Sequence, residues 1–191
     1  MLTMGLISTL LGGWMGLNQT QTRKLMAFSS IAHMGWLVMA LTLNPTLATL
    51  TLLIYIILTV VMFTALAYTT TKTMLDLGTI HSCYPTLSLL LLLTLMSLGG
   101  LPPLSGFIPK WLILKELISS GTPLLAMCAA LATLPSLYFY IRMTYVITLT
   151  TPPNTTTTEH KWRLFKKPPM NTSTLLPLAT LLLPIMPTLT K

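Results

Sequence analysis

Residues 99–111 read GGLPPLSGFIPKW and interrupt a long apolar stretch between Thr86 and Ile118. Glycine weakens a helix, and proline removes a backbone donor and clashes with the preceding turn, so this stretch predicts a break inside a membrane-spanning helix. The residues expected to make the break are Gly99, Gly100, Pro102 and Pro103. Helices broken at the middle of a membrane expose backbone groups and helix ends, which transporters use to handle ions.

A lysine, Lys110, follows this break. The segment leaves the apolar region near Ser119, which places Lys110 about 14 Å from that end at a rise of about 1.5 Å per residue. A lysine at the bilayer centre costs about 2.5–3.5 kcal/mol on the insertion scale, so it should face a bundle interior or a hydrated cavity. There it could gain and lose a proton as its surroundings change, which is the chemistry of a proton relay. The alternative is a lysine in a kinked helix whose amine reaches towards the membrane surface.

The composition of the chain is that of an integral membrane protein. Of its 191 residues, 53% are hydrophobic and 7% are charged, and the mean hydropathy is +0.77. Soluble domains carry about 25% charged residues, so a soluble globular protein is excluded. The apolar content excludes a disordered chain, and the two cysteines exclude a disulfide-dense secreted scaffold. We predict an all-α, polytopic transmembrane helix bundle that forms one domain over residues 1–191.

Stretches of about 20 apolar residues are long enough to cross a bilayer as helices. The chain has about six such segments, at residues 1–17, 25–43, 47–68, 86–118 (broken at 99–103), 123–149 and 174–190. The first segment has neither the positive start nor the cleavage site of a signal peptide. It is also short for a full span, so we expect a helix whose beginning is missing.

The basic residues favour one orientation in the membrane. The formal net charge is +8, but the basic residues are too few and too scattered to form a nucleic-acid groove. If the six segments alternate in direction, one side of the membrane collects Arg23, Lys24, Lys72, Lys161, Arg163, Lys166 and Lys167. Only Lys115 and Lys191 fall on the other side. The positive-inside rule therefore makes the first side the inner one.

A histidine, His33, is the second candidate for proton transfer. It lies roughly 12 Å along the second segment, and imidazole titrates near neutral pH. A packing role, with a hydrogen bond to Ser29 or Ser30, is equally compatible with the sequence. Arg142 is expected to reach the inner surface, and Glu116 to lie near the outer one. No nucleotide fingerprint, CxxC motif, iron–sulfur ligand set or haem ligand set is present, so we expect no metal and no redox cofactor on this chain.

Three stretches carry a family resemblance. Residues 16–36 read GLNQTQTRKLMAFSSIAHMGW, and residues 137–145 read LYFYIRMTY. Together with residues 99–111, they closely resemble the antiporter-like membrane subunits of mitochondrial respiratory complex I, the family of NADH–ubiquinone oxidoreductase chain 2. The similarity runs across the whole chain, and the Thr-, Leu- and Met-rich, acid-poor composition is similar to that of animal mitochondrially encoded proteins.

The resemblance implies a subunit of the proton-pumping membrane arm in the mitochondrial inner membrane, with other membrane-arm subunits and the lipid bilayer as partners. It implies that Lys110 is the central lysine of the broken helix and that His33 lines the same hydrated axis. NADH, FMN, iron–sulfur clusters and ubiquinone would be handled by other subunits. The amino-terminal half of the family, with its buried glutamate, has no counterpart here, so the chain resembles a carboxy-terminal fragment.

Two other functions remain open at this stage. The first is a free-standing cation/proton antiporter of the related transporter class, which would work without any dehydrogenase. The second is a structural component of the membrane arm without a proton path of its own, in which the polar residues serve packing.

Overall fold

The computed structural model describes residues 1–80 and 84–149, and these residues are predominantly helical. Its helices are α1 (Leu2–Gly16), α2 (Thr22–Leu43), α3 (Pro45–Thr69), α4 (Met74–Gly78), α5 (Pro85–Gly99), α6 (Phe107–Ser119) and α7 (Pro123–Leu149). Within the described residues there is no strand, only an isolated bridge between Gln21 and Thr73. The all-α fold predicted from the composition is confirmed.

Three of these helices, α2, α3 and α7, are long and apolar enough to cross a membrane, and α1 and α5 are shorter apolar helices. The predicted segment 86–118 is divided into α5 and α6, which are separated by residues 100–106. The predicted last segment, 174–190, lies outside the described residues.

The helices pack around α7, which contacts α1, α4, α5 and α6. α1 lies along α2, where glycines at 5, 12 and 35 allow the two backbones to approach closely, as small residues do between membrane helices. Near the carboxyl end of α7, Arg142 Nη1 donates a hydrogen bond to the carbonyl of Leu17, at 2.9 Å. The Arg142 side chain therefore ties α7 to the end of α1.

Two loops at one end of the bundle are joined by hydrogen bonds. The backbone N–H of Thr22 donates to the carbonyl of Lys72 at 3.2 Å, and the N–H of Met74 donates to the carbonyl of Thr20 at 3.0 Å. Thr22 is therefore held beside Lys72, with Arg23 next along the chain. These contacts bring Arg23, at the start of α2, and Lys72, after the end of α3, to the same end of the molecule, as alternating segments require.

Helix α4 was not predicted from the sequence, and it starts with a capping box. The Asp76 carboxylate accepts backbone N–H groups from Thr73 at 2.8 Å and Lys72 at 3.0 Å, and Thr73 caps the helix in return. These backbone hydrogen bonds stabilise the carboxylate, so they lower the pKa of Asp76 below its usual value, and the bond from Thr73 contributes most. The signal was the T-x-x-D spacing, which lies outside the apolar segments.

Candidate functional site

The break in the fourth segment is made by Gly100. Its φ of +82° is in the left-handed region that glycine adopts without a penalty. The N–H of Gly100 donates to the carbonyl of Ser97 at 2.9 Å, and that of Leu101 to Met96 at 3.3 Å, which is a Schellman ending. Gly99 is the last residue of α5, and Pro102 and Pro103 lie exposed in the linker. The helix thus ends before the prolines, and the prolines prevent it from extending further.

The amine of Lys110 lies at this helix end. Lys110 is in the first turn of α6 and only 9% exposed. Its Nζ donates to the carbonyl of Gly99 at 2.8 Å and lies 3.5 Å from the carbonyl of Leu98. The last carbonyls of a helix have no partner within it, and a helix carboxyl end favours a cation. The two carbonyls thus offset part of the cost of burying the amine.

A small polar cluster fixes α6 against the end of α5. The hydroxyls of Ser97 and Ser105 are hydrogen-bonded at 3.0 Å, and the N–H of Gly106 donates to Ser97 Oγ at 3.2 Å. A Cβ on Gly106 would overlap the carbonyl oxygen of Ser97 and lie 2.8 Å from its carbonyl carbon. The position of Lys110, four residues further on, therefore depends on a backbone contact that only glycine allows.

His33 lies in the middle of α2 and faces two tyrosines. Its Nε2 is 3.1 Å from the hydroxyl of Tyr140, on α7, and its ring centroid is 5.1 Å from that of Tyr55, on α3. The expected partners Ser29 and Ser30 instead donate to carbonyls of their own helix, each at 2.7 Å. Serine hydroxyls in helices often donate to a preceding carbonyl in this way. The expected hydrogen bond from Ser29 or Ser30 to His33 is therefore not formed.

Lys110 and His33 line the same cavity, whose volume is about 40 Å³. A buried water needs about 10–15 Å³ of such space and at least two polar partners, so this cavity has room for at least one water. The other lining residues come from α2, α3, α5, α6 and the linker before α6: Trp36, Leu37, Thr51, Ile54, Tyr55, Leu58, Leu98, Gly106, Pro109 and Ile113. The helix break thus opens into a space lined by two titratable side chains.

The structure brings some polar residues to this site and leaves others out. Arg142 and Glu116 do not line the cavity. Tyr55 and Tyr140 had not been singled out, although a tyrosine inside an apolar span is a usable signal, because its hydroxyl needs a partner there. Thr51 lines the cavity but donates its hydroxyl to the carbonyl of Ala48 at 2.8 Å.

Comparisons with known proteins agree with this architecture. Residues 1–135 match the model of the NADH:quinone oxidoreductase/Mrp antiporter transmembrane family, and residues 137–190 match that of the NADH dehydrogenase subunit 2 C-terminus. NADH-ubiquinone oxidoreductase chain 2 of Xenopus laevis is 51% identical over 98% of this chain and 54% of its own length. The protein of the same name from Salmo salar is 51% identical over 100% of this chain and 55% of its own length.

Solved structures show the same fold. A chain of respiratory complex I from Thermus thermophilus, solved with bound aureothin, matches with a TM-score of 0.76 and 25% identity, covering 97% of this chain and 44% of that one. A chain of the Mrp complex from Dietzia sp. matches with a TM-score of 0.66 and 22% identity, covering 76% of this chain and 30% of that one. The chain spans about half the length of the curated relatives it matches. By the family match over residues 1–135, the chain belongs to the NADH:quinone oxidoreductase/Mrp antiporter transmembrane family.

Proposed function

We propose that the chain works as part of a membrane subunit of respiratory complex I and contributes to proton translocation coupled to electron transfer from NADH to ubiquinone. The relatives at about half sequence identity carry the name NADH-ubiquinone oxidoreductase chain 2, which supports this assignment. They are vertebrate proteins, which favours the mitochondrial inner membrane. The other membrane-arm subunits and the lipid would cover the apolar outer faces, and the redox cofactors would be held by other chains.

One observation carries the proposal: Lys110 and His33 share a cavity at a broken helix. An amine and an imidazole both exchange protons with water, and a cavity that holds a water would connect them. Both are within the membrane-spanning part of the bundle, where a titratable residue is expensive to keep without a functional use.

The contacts of Lys110 suggest how its protonation would move the side chain. Charge-assisted hydrogen bonds are roughly twice as strong as neutral ones, so the ammonium holds the carbonyls of Gly99 and Leu98 more tightly than the neutral amine would. Loss of the proton would weaken this hold and free the amine to turn towards the cavity. Renewed protonation would return it to the helix end.

The same contacts also favour a second candidate function. A cation that caps the end of α5 would stabilise the break without transferring any proton, as expected for a structural component. The family match favours a third candidate, because its name includes Mrp antiporters. A free-standing antiporter would act without a dehydrogenase.

A native gel of detergent-solubilised source membranes, stained for NADH dehydrogenase activity, tests membership of the complex. We expect mass spectrometry to find peptides of this chain, such as the tryptic peptide that ends at Lys110, in the active band. Peptides found only in a small inactive band would contradict the proposal. Ion-driven pH changes in vesicles that contain the whole subunit alone would favour the antiporter instead.

Substitution of Gly100 tests the position of the lysine amine. A Cβ on Gly100 would lie 2.9 Å from Lys110 Nζ and 3.1 Å from its Cδ, so Gly100→Ala should displace the amine from the carbonyl of Gly99. Gly121 is the matched control, because its φ of +79° imposes the same backbone strain and nothing lies within 4 Å of its Cβ.

Both variants should lose about 1–2 kcal/mol of stability from the left-handed backbone. Only Gly100→Ala should also lower the rate of proton translocation per assembled complex, measured in proteoliposomes with NADH as substrate. Equal translocation rates in the two variants would show that the contact with the amine has no functional importance.

A further inference from the structure

Tyr140 contacts His33 directly and packs against the backbone that holds Lys110; these are the two proposed relay residues. It is a tyrosine of α7 with 1% of its surface exposed. Its hydroxyl is 3.1 Å from His33 Nε2. Its ring packs over Gly99, since a Cβ placed there would lie 3.7 Å from Tyr140 Cδ2. The carbonyl of that same Gly99 accepts the hydrogen bond from Lys110. One side chain therefore touches the histidine directly and supports the backbone that holds the lysine.

The Tyr140 ring is itself held firmly. It packs against Phe139 with ring centroids 4.5 Å apart. A buried tyrosine hydroxyl requires a partner, and here the partner, His33, lies on another helix. The position of the hydroxyl is therefore set by packing, and the imidazole adjusts to it.

We infer that Tyr140 is a positioning residue, which orients the imidazole of His33 by engaging its Nε2 atom. The inference rests on the proposed function of the Lys110–His33 pair. A hydrogen bond to one ring nitrogen fixes the orientation of an imidazole and favours one tautomer, as the partners of metal-bound histidines do. Proton exchange with cavity water is then assigned to the other nitrogen, Nδ1.

Among the residues around His33, Tyr140 is the one that can set the orientation of the imidazole. The ring of Tyr55 packs against the imidazole with centroids 5.1 Å apart and planes tilted by 35°, and Lys110 shares the cavity. Among the described residues, the His33 ring forms its hydrogen bond with Tyr140. Ring packing alone does not distinguish the two orientations of the imidazole that differ by a flip about the Cβ–Cγ bond, whereas a hydrogen bond to Nε2 selects one of them and so sets the positions of both nitrogens.

The test uses Tyr140→Phe in the intact complex, which removes the hydroxyl and keeps the ring. Tyr138→Phe is the matched control, because Tyr138 lies on the same helix with 57% of its surface exposed. We expect proton translocation per assembled complex to fall about two- to tenfold in Tyr140→Phe, the range of one lost hydrogen bond. The control should match the unchanged protein, and the KM for NADH and for quinone should not change in either variant.

A double-mutant cycle with His33→Gln separates positioning from packing. If Tyr140 acts through the imidazole, Tyr140→Phe should cause no further loss once His33 is replaced. Additive losses would overturn the inference, because they would show that the hydroxyl acts independently of His33. A Tyr140→Phe chain that fails to assemble would overturn it too, since the hydroxyl would then be needed for folding.

Lys110→Met, measured in parallel, distinguishes failure of the proposed function from failure of the role of Tyr140. Unchanged translocation in that variant would contradict the proposed function itself. A loss in Lys110→Met together with full translocation in Tyr140→Phe would overturn only the role of Tyr140.

Discussion

Replacement of Lys110 by methionine is expected to lower coupled proton translocation by at least about tenfold, because positioned proton-transfer groups typically contribute about 10²–10⁴-fold. Methionine keeps most of the length of the side chain and carries no exchangeable proton. It also leaves the carbonyls of Gly99 and Leu98 without the amine. The measurement is the rate of proton translocation per assembled complex in sealed proteoliposomes, with NADH as substrate.

Two companion variants make this result interpretable. Lys115→Met removes an exposed lysine from the same helix and should leave translocation unchanged. Lys110→Arg keeps a cation that can cap the end of α5, but a guanidinium cannot be deprotonated in a protein. A relay therefore predicts a loss in Lys110→Arg similar to that in Lys110→Met. A purely structural lysine predicts that arginine restores most of the function, and that outcome would contradict the relay.

Gly106→Ala is expected to have the largest effect on the folded chain. The added Cβ would overlap the carbonyl oxygen of Ser97, which is part of the backbone at the end of α5 and cannot rotate away. Relief requires α6 to separate from α5, which breaks the hydrogen bond from Gly106 to Ser97 Oγ and opens the wall of the cavity. Overpacking of this kind costs typically about 1–3 kcal/mol, and a clash with fixed backbone falls at the upper end of that range.

The measurement for Gly106→Ala is the amount of assembled complex on a native gel. Gly99→Ala is the matched control for assembly, because the nearest atom to its added Cβ is Tyr140 Cδ2, at the ordinary contact distance of 3.7 Å. We expect a clear loss of assembled complex for Gly106→Ala and little change for Gly99→Ala. Equal amounts of the two would mean that α5 and α6 are not held together by this contact.

Much of the fold follows from the sequence because hydropathy and helix breakers act locally. The broken helix was predicted from residues 99–111, since glycine and proline restrict the backbone wherever they stand. The lysine was singled out because a buried charge among apolar residues is expensive in any fold. Both predictions depend only on residues that are close together in the sequence.

The rest of the site depends on contacts between distant residues. Tyr140 is 107 positions from His33 along the chain, and no local pattern indicates that the two meet. The alternative partners proposed for His33, Ser29 and Ser30, were neighbours on the same helix, and their hydroxyls bond to carbonyls of that helix instead. Helix α4 was missed because five residues without a long apolar run give no periodic signal. Lys110 and His33 could therefore be identified from the sequence, whereas the distant residues that contact them are determined by tertiary packing.

In the proposed function, water in one cavity connects Lys110 with His33. The most direct test is an electron cryomicroscopy map of the intact complex at a resolution that shows ordered water. We predict at least one water within hydrogen-bond distance of both the Lys110 amine and a His33 ring nitrogen, in the space beside Tyr55 and Thr51. A cavity filled by a lipid chain or by an apolar side chain from a neighbouring subunit, with no water between the two groups, would rule out proton exchange between Lys110 and His33 through this cavity.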